Sequence, residues 1–168
     1  MRELHNIGTI ATLRLPEGWV EGPAEPIIGG RECRKFYPET SPDVFFLSQI
    51  RHVPVSQSAA VAFQNSLYAE FHSLSVEEIT SLDEVLEALS NQRSFSIKEA
   101  ATGYLNGRRA ILASGQWIEG QTQAIAALID INGDGQLVHQ LYCSAPKDKF
   151  ETVESEFRSI LNSIEWQK

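Results

Sequence analysis

The chain has 168 residues, 42% of them hydrophobic and 21% charged, which suits one globular domain spanning residues 1–168 and excludes a disordered chain. Lys plus Arg number 14 against 22 Asp plus Glu, a formal charge of -8, so the chain repels a phosphate backbone; its densest basic stretch, Arg31, Arg34 and Lys35, is interrupted by Glu32. No apolar run approaches the roughly 20 residues that cross a bilayer, and Met1-Arg2-Glu3-Leu4-His5 lacks a signal-peptide core, so with Met1 as the native start the expected location is cytoplasmic.

Ile7 to Leu15 reads as one short strand, closed by the turn Pro16-Glu17-Gly18, with Trp19 and Val20 resuming the apolar pattern. Gly29-Gly30 predicts a tight turn and Arg31 to Tyr37 the strand after it. Val44 to Val55 opens on Val44-Phe45-Phe46-Leu47, the pattern of a strand covered on both faces. Ala60, Phe63, Leu67 and Phe71 then recur at helical spacing, which predicts a helix over 58–71. Ser75 followed by Glu78 forms a capping box, in which a hydroxyl and a carboxylate each satisfy an amide the first helical turn leaves unpaired. Ile79, Leu82, Val85, Leu86 and Leu89 continue as the apolar stripe of a second helix, flanked by the acids Glu77, Asp83, Glu84 and Glu87.

The second half predicts four strands: Phe95 to Leu105, Arg108 to Ile118, Gln121 to Ile131 and Gln136 to Cys143. The links are short and glycine-bearing. Asn106-Gly107 favours a type I′ turn, because both residues tolerate positive φ. Short links make antiparallel neighbours, hence a four-stranded meander. Along the third strand, Ala124, Ala126 and Leu128 share one face, and Ile125, Ala127, Ile129 and Ile131 the other. Both faces are apolar, so cover is required above and below. With no second set of strands in view, that cover is expected to be helical. Phe150, Val153, Phe157, Ile160, Leu161 and Ile164 supply one such helix, with Asp148 and Glu151 as its expected capping box. The fold class is therefore α/β in the α+β sense, an antiparallel sheet with helices on both faces.

Chemistry-bearing motifs are sparse. Asp130-Ile131-Asn132-Gly133-Asp134-Gly135 copies the first half of a calcium loop, with Asp130, Asn132 and Asp134 as the oxygen donors. The closing carboxylate would fall at Leu141, inside a strand, so a polar hairpin turn accounts for the segment. His5, His52, His72 and His139 have no second ligand at metal spacing. His139 and Cys143 share a strand face, but four residues at about 3.3 Å each separate them by about 13 Å, too far for a nucleophile and its base. Cys33 and Cys143 are expected to be reduced thiols on strands. Trp117, near a strand end, is the candidate recognition anchor if the domain binds a partner.

Four strings carry a family resemblance: Leu13-Arg14-Leu15-Pro16-Glu17-Gly18-Trp19, Asn106-Gly107-Arg108-Arg109-Ala110, Tyr142-Cys143-Ser144-Ala145-Pro146, and Phe157-x-x-Ile160-Leu161-x-Ser163-Ile164. With the order of elements, they resemble the PsbP-like family over most of residues 8–166. That fold is shared by an extrinsic photosystem II subunit, a nucleotide-release factor for the Ran GTPase, and small bacterial proteins such as the DcrB-like ones. The resemblance implies an α/β/α sandwich and a non-enzymatic protein that acts by binding another protein, with no cofactor and no catalytic residues. The alternative expectation is a small-ligand carrier with a pocket between sheet and helices near Trp117.

Overall fold

The computed structural model describes residues 1–23, 30–52, 57–90, 95–117 and 121–168; the expected turn at Gly29-Gly30 lies partly outside them. Seven of the described strands form one antiparallel sheet in the order β3-β4-β5-β9-β8-β7-β6. They are β3 (Trp19–Glu21), β4 (Gly30–Pro38), β5 (Phe45–His52), β6 (Phe95–Leu105), β7 (Arg108–Trp117), β8 (Thr122–Asp130) and β9 (Leu137–Pro146). The meander β6 to β9 stands as expected. Its first turn has Asn106 at φ 48° and Gly107 at φ 88°, both positive as a type I′ turn requires.

Two cores lie on the two faces of this sheet, and β8 shows why both exist. Ala124, Ala126 and Leu128 enter one core, whereas Ala127 and Ile129 enter the other. Helices α1 (Gln57–Tyr68) and α2 (Val76–Ser90) cover the first face, placing Phe63, Leu67, Leu82 and Val85 against Ala100, Ile111 and Ala113. Helix α3 (Lys147–Asn162) covers the second, and its Phe157 and Ile160 are fully enclosed.

Cover on the second face is not helical alone. Residues 7–15 do not form one strand. They turn back at Gly8-Thr9, joining β1 (Arg2–Ile7) to β2 (Ile10–Leu15), with Ile7 opposite Ile10. Gly8 has φ +59°, and a Cβ there would stand 2.6 Å from Ile50 Cδ1, so both backbone and space call for glycine. A terminal strand, β10 (Glu165–Trp166), pairs with β2 and completes a three-stranded sheet. Its inward residues Leu4, Ile7, Ile10, Leu13 and Leu15 share a core with α3 and the large sheet. The expectation of no second set of strands is therefore corrected: a small sheet and α3 jointly roof this face.

One capping expectation also changes. Helix α3 begins after Pro146 with no side-chain cap, so Asp148 and Glu151 form no capping box there. Pro146 itself lacks an N–H, which removes one unpaired donor at that end. At the other end, Asn106 Nδ2 donates to the carbonyls of Leu161 (2.8 Å) and Ile164 (2.9 Å), so the β6–β7 turn fastens the last turn of α3.

Candidate functional site

The histidine most suggestive of chemistry is enclosed. His139, on β9, is 0% exposed. Its Nε2 lies 2.7 Å from Ser48 Oγ on β5, and its Nδ1 lies 2.7 Å from Thr9 Oγ1 in the β1–β2 turn. Each hydroxyl can donate or accept, so a neutral imidazole with one N–H satisfies both contacts. Burial, with Arg108 nearby, pushes its pKa down to about 4. A Ser–His pair can generate a nucleophile, but here both partners lie below the surface, Ser48 at 2% exposure and His139 at 0%. The triad instead ties the small sheet to the large one. Sequence reasoning missed it because the three residues are brought together from Thr9, Ser48 and His139, with no local spacing to read.

The calcium candidates close their own loop. Asp130 Oδ1 accepts the Gly133 amide and Oδ2 the Gly135 amide, each at 3.0 Å, while Asp134 Oδ1 accepts the Gln136 amide at 2.9 Å. Asn132 is exposed, and Leu141 is buried in the core. Gly135 has φ +71°, and a Cβ there would meet the Ala60 carbonyl oxygen of α1 at 2.8 Å, so the hairpin tip sits directly on that helix. Among the described residues, no three His, Cys, Asp or Glu side chains are grouped to hold a metal ion.

The Ser75–Glu78 box forms and extends further than a box. Ser75 N donates to Glu78 Oε2 at 2.8 Å, and Glu78 N to Ser75 Oγ at 3.3 Å. Glu78 Oε1 also accepts from Ser66 Oγ of α1 (2.8 Å) and faces His72 Nε2 (2.9 Å). The Ser75 amide, then His72, hold the Glu78 carboxyl down at about 2. Losing the cap hydroxyl in Ser75→Ala should lower stability by about 0.5–1 kcal/mol, read by urea denaturation.

Trp117 is half-buried at the end of β7, its ring edge-on to Tyr142 at 6.4 Å between centroids, and it packs against the α1/α2 core. Tyr142 also meets Phe45 at 6.1 Å. Trp117 therefore belongs in part to the inner layer, and it retains a solvent-facing portion. Cys143 is buried with its thiol pKa pushed up by desolvation, and no disulfide joins it to Cys33.

An outward corner gathers other aromatics. Tyr68, Phe71 and Tyr104 are 48%, 50% and 58% exposed. Phe71 and Tyr104 meet edge-on at 4.9 Å, and the Arg109 guanidinium stacks on Phe71 at 5.0 Å. Arg109 also donates to the carbonyls of Leu67 (3.1 Å) and Ala69 (2.8 Å), which fixes the C-terminal end of α1. Tyr68 OH reaches toward Asp130 Oδ2 at 3.5 Å. Elsewhere, a shallow depression of about 510 Å³ lies between Arg14 of β2 and Arg158 and Ser159 of α3. Both arginines are already paired, with Glu3 and Glu154.

No protein-family model matches the sequence, and no curated protein matches it. Solved structures do match. The chain is similar to the cyanobacterial PsbP (CyanoP) of Synechocystis at 12% identity, with a TM-score of 0.62, covering 99% of this chain and 92% of that one. It is also similar to LpqN of Mycobacterium tuberculosis, described as involved in cell envelope biogenesis, at 14% identity, a TM-score of 0.56 and coverage of 99% and 90%. At these identities the likeness establishes the PsbP-like fold.

Proposed function

We propose that this PsbP-like fold serves as a non-catalytic interaction domain whose ligand is another protein. The observation that carries the reading is the distribution of polar chemistry. His139, Ser48 and Asp130 are 0%, 2% and 9% exposed and bonded within the domain. Among the described residues, the aromatic side chains turned outward are Tyr68, Phe71 and Tyr104, with Arg109 stacked on Phe71, residue types that concentrate binding energy at interfaces. Accessory, adaptor-like binding fits that arrangement. No helix among the described residues is long and apolar enough to cross a membrane; a cytoplasmic setting is part of this proposal, and fractionation of the source cells decides it.

Affinity capture from native lysate with quantitative cross-linking tests the reading. A saturable partner should be retained by the wild-type chain. The double variant Phe71→Ser/Tyr104→Ser should lose it at least about tenfold in affinity, the effect of about 1.4 kcal/mol at a hot spot. Trp117→Ala tests the other candidate anchor. Absence of any saturable partner at physiological concentration would count against the proposal.

The second reading, a small-ligand carrier, is favoured by one feature. Ser144, a buried polar residue of β9, lies two positions from Tyr142, whose ring meets Trp117, and buried Gln140 and Gln49 stand opposite each other on β9 and β5. Trp117 fluorescence during a metabolite screen tests it, and a flat response across a broad library disfavours it.

A further inference from the structure

The segment linking α1 to α2 does more than connect them. It runs beside β6, an edge strand of the large sheet, and pairs with it through a short antiparallel bridge. Leu74 N donates to Ala100 O at 2.9 Å, Thr102 N donates to His72 O at 3.0 Å, and Ser73 forms an isolated antiparallel bridge with Ala101. His72 N donates in turn to Thr102 Oγ1 at 3.0 Å. An open sheet edge is a template for unwanted pairing, and this strap covers part of it.

The His72 imidazole fastens the strap. Its Nδ1 is 2.6 Å from the Glu70 carbonyl oxygen, and its Nε2 is 2.9 Å from Glu78 Oε1. A carbonyl and a carboxylate both accept, and neither has a proton to give. A neutral imidazole carries one N–H, so one of its nitrogens would turn a lone pair toward an acceptor. Only the imidazolium donates at both ends.

Each packed element contributes in a known way. From α2 comes the Glu78 carboxylate, and from α1 the uncharged Ser66 hydroxyl on that same carboxylate. From β6 comes the uncharged Thr102 hydroxyl, 3.5 Å from Nδ1. From the strap itself comes Glu70, through its carbonyl. Arg109 of β7 holds the carbonyls of Leu67 and Ala69 at the other end of the connection.

We propose that His72 is a proton-operated pin: charged, it locks residues 70–74 onto the β6 edge, and on losing its proton it loosens that strap. The Glu78 contact, then the Glu70 carbonyl, raise its pKa above the usual 6.5, so the pin is released as pH rises through that raised value. The sign follows: stabilisation is fully present below 6.5 and is lost as pH rises through the folded value. The inference is independent of any partner, because it concerns the free chain.

The test is NMR of the full chain between pH 5.5 and 9, following the His72 ring and the protection factors of the Leu74 and Thr102 amides. Protection at both amides should fall about three- to tenfold through the His72 midpoint, the difference between a charge-assisted and a broken contact. Ala126 and Tyr142, inside the sheet, should not change. In His72→Gln the two amides should show low, pH-independent protection. In His72→Arg, which keeps a permanent cationic donor, protection should stay high throughout. A His72 midpoint at or below 6.5, flat protection in the wild type, or the same fall in His72→Gln would overturn the proposal.

Discussion

Between pH 7 and pH 4 the wild-type chain should lose about 3 kcal/mol more stability than the His139→Gln variant. In the folded state His139 is held neutral down to about pH 4, because charging it would bury a cation among apolar groups beside Arg108. In the unfolded chain it titrates near 6.5. Unfolding therefore takes up a proton anywhere between those values, and each pH unit costs the native state about 1.4 kcal/mol. The contribution is intact above 6.5 and is progressively lost as pH falls toward 4. Glutamine keeps a donor and an acceptor for Ser48 and Thr9 but cannot titrate. The variant can be less stable at pH 7; the readout is the difference in slope from urea melts at successive pH values. Parallel slopes would mean that His139 is accessible to protons in the folded protein. This acid dependence runs opposite to that of His72.

Phe157→Ala should cost about 3–5 kcal/mol, a large part of the stability of an ordinary domain. The ring is fully enclosed, edge-on to Trp19 at 6.2 Å and tilted against Phe150 at 6.0 Å. Trp19 is itself fixed by its Nε1–H, which donates to Glu156 Oε2 at 2.8 Å on the same helix. Removing Phe157 leaves a cavity at the point where α3, the first strands and the large sheet meet. Phe71→Ala, at the half-exposed corner, should change stability by well under 1 kcal/mol. Denaturation of the two variants side by side separates core from corner, and equal losses would contradict the assignment of Phe71 to the surface.

What the sequence revealed follows the range over which each signal acts. The β6–β9 meander was legible because each turn carries its own chemistry, Asn106-Gly107 above all, and because apolar alternation along β8 divides between two cores as read. The Ser75–Glu78 box was legible because its partners are three residues apart. The β1–β2 hairpin was not, since Gly8-Thr9 lies between Ile7 and Ile10 and leaves the apolar run looking continuous. Pairing of Glu165 and Trp166 with Thr12 and Ile10 joins opposite ends of the chain, where no local pattern reports it. The Thr9–Ser48–His139 triad was hidden for the same reason. The aromatic corner was missed because Phe71 reads as the last apolar residue of a helix that in fact ends at Tyr68.

Neighbouring alanines on β8 give the most direct test that the sheet is roofed on both sides and leaves no open cleft. Ala126 faces α1 and α2, Ala127 faces α3 and the small sheet, and they are 3% and 1% exposed. Cysteine is introduced at each position separately, and its alkylation is followed by peptide mass spectrometry, with Cys33 and Cys143 read independently. Both Ala126→Cys and Ala127→Cys should react only at the rate of global unfolding. Rapid modification at either position in the folded protein would show that face bare to solvent and contradict the account.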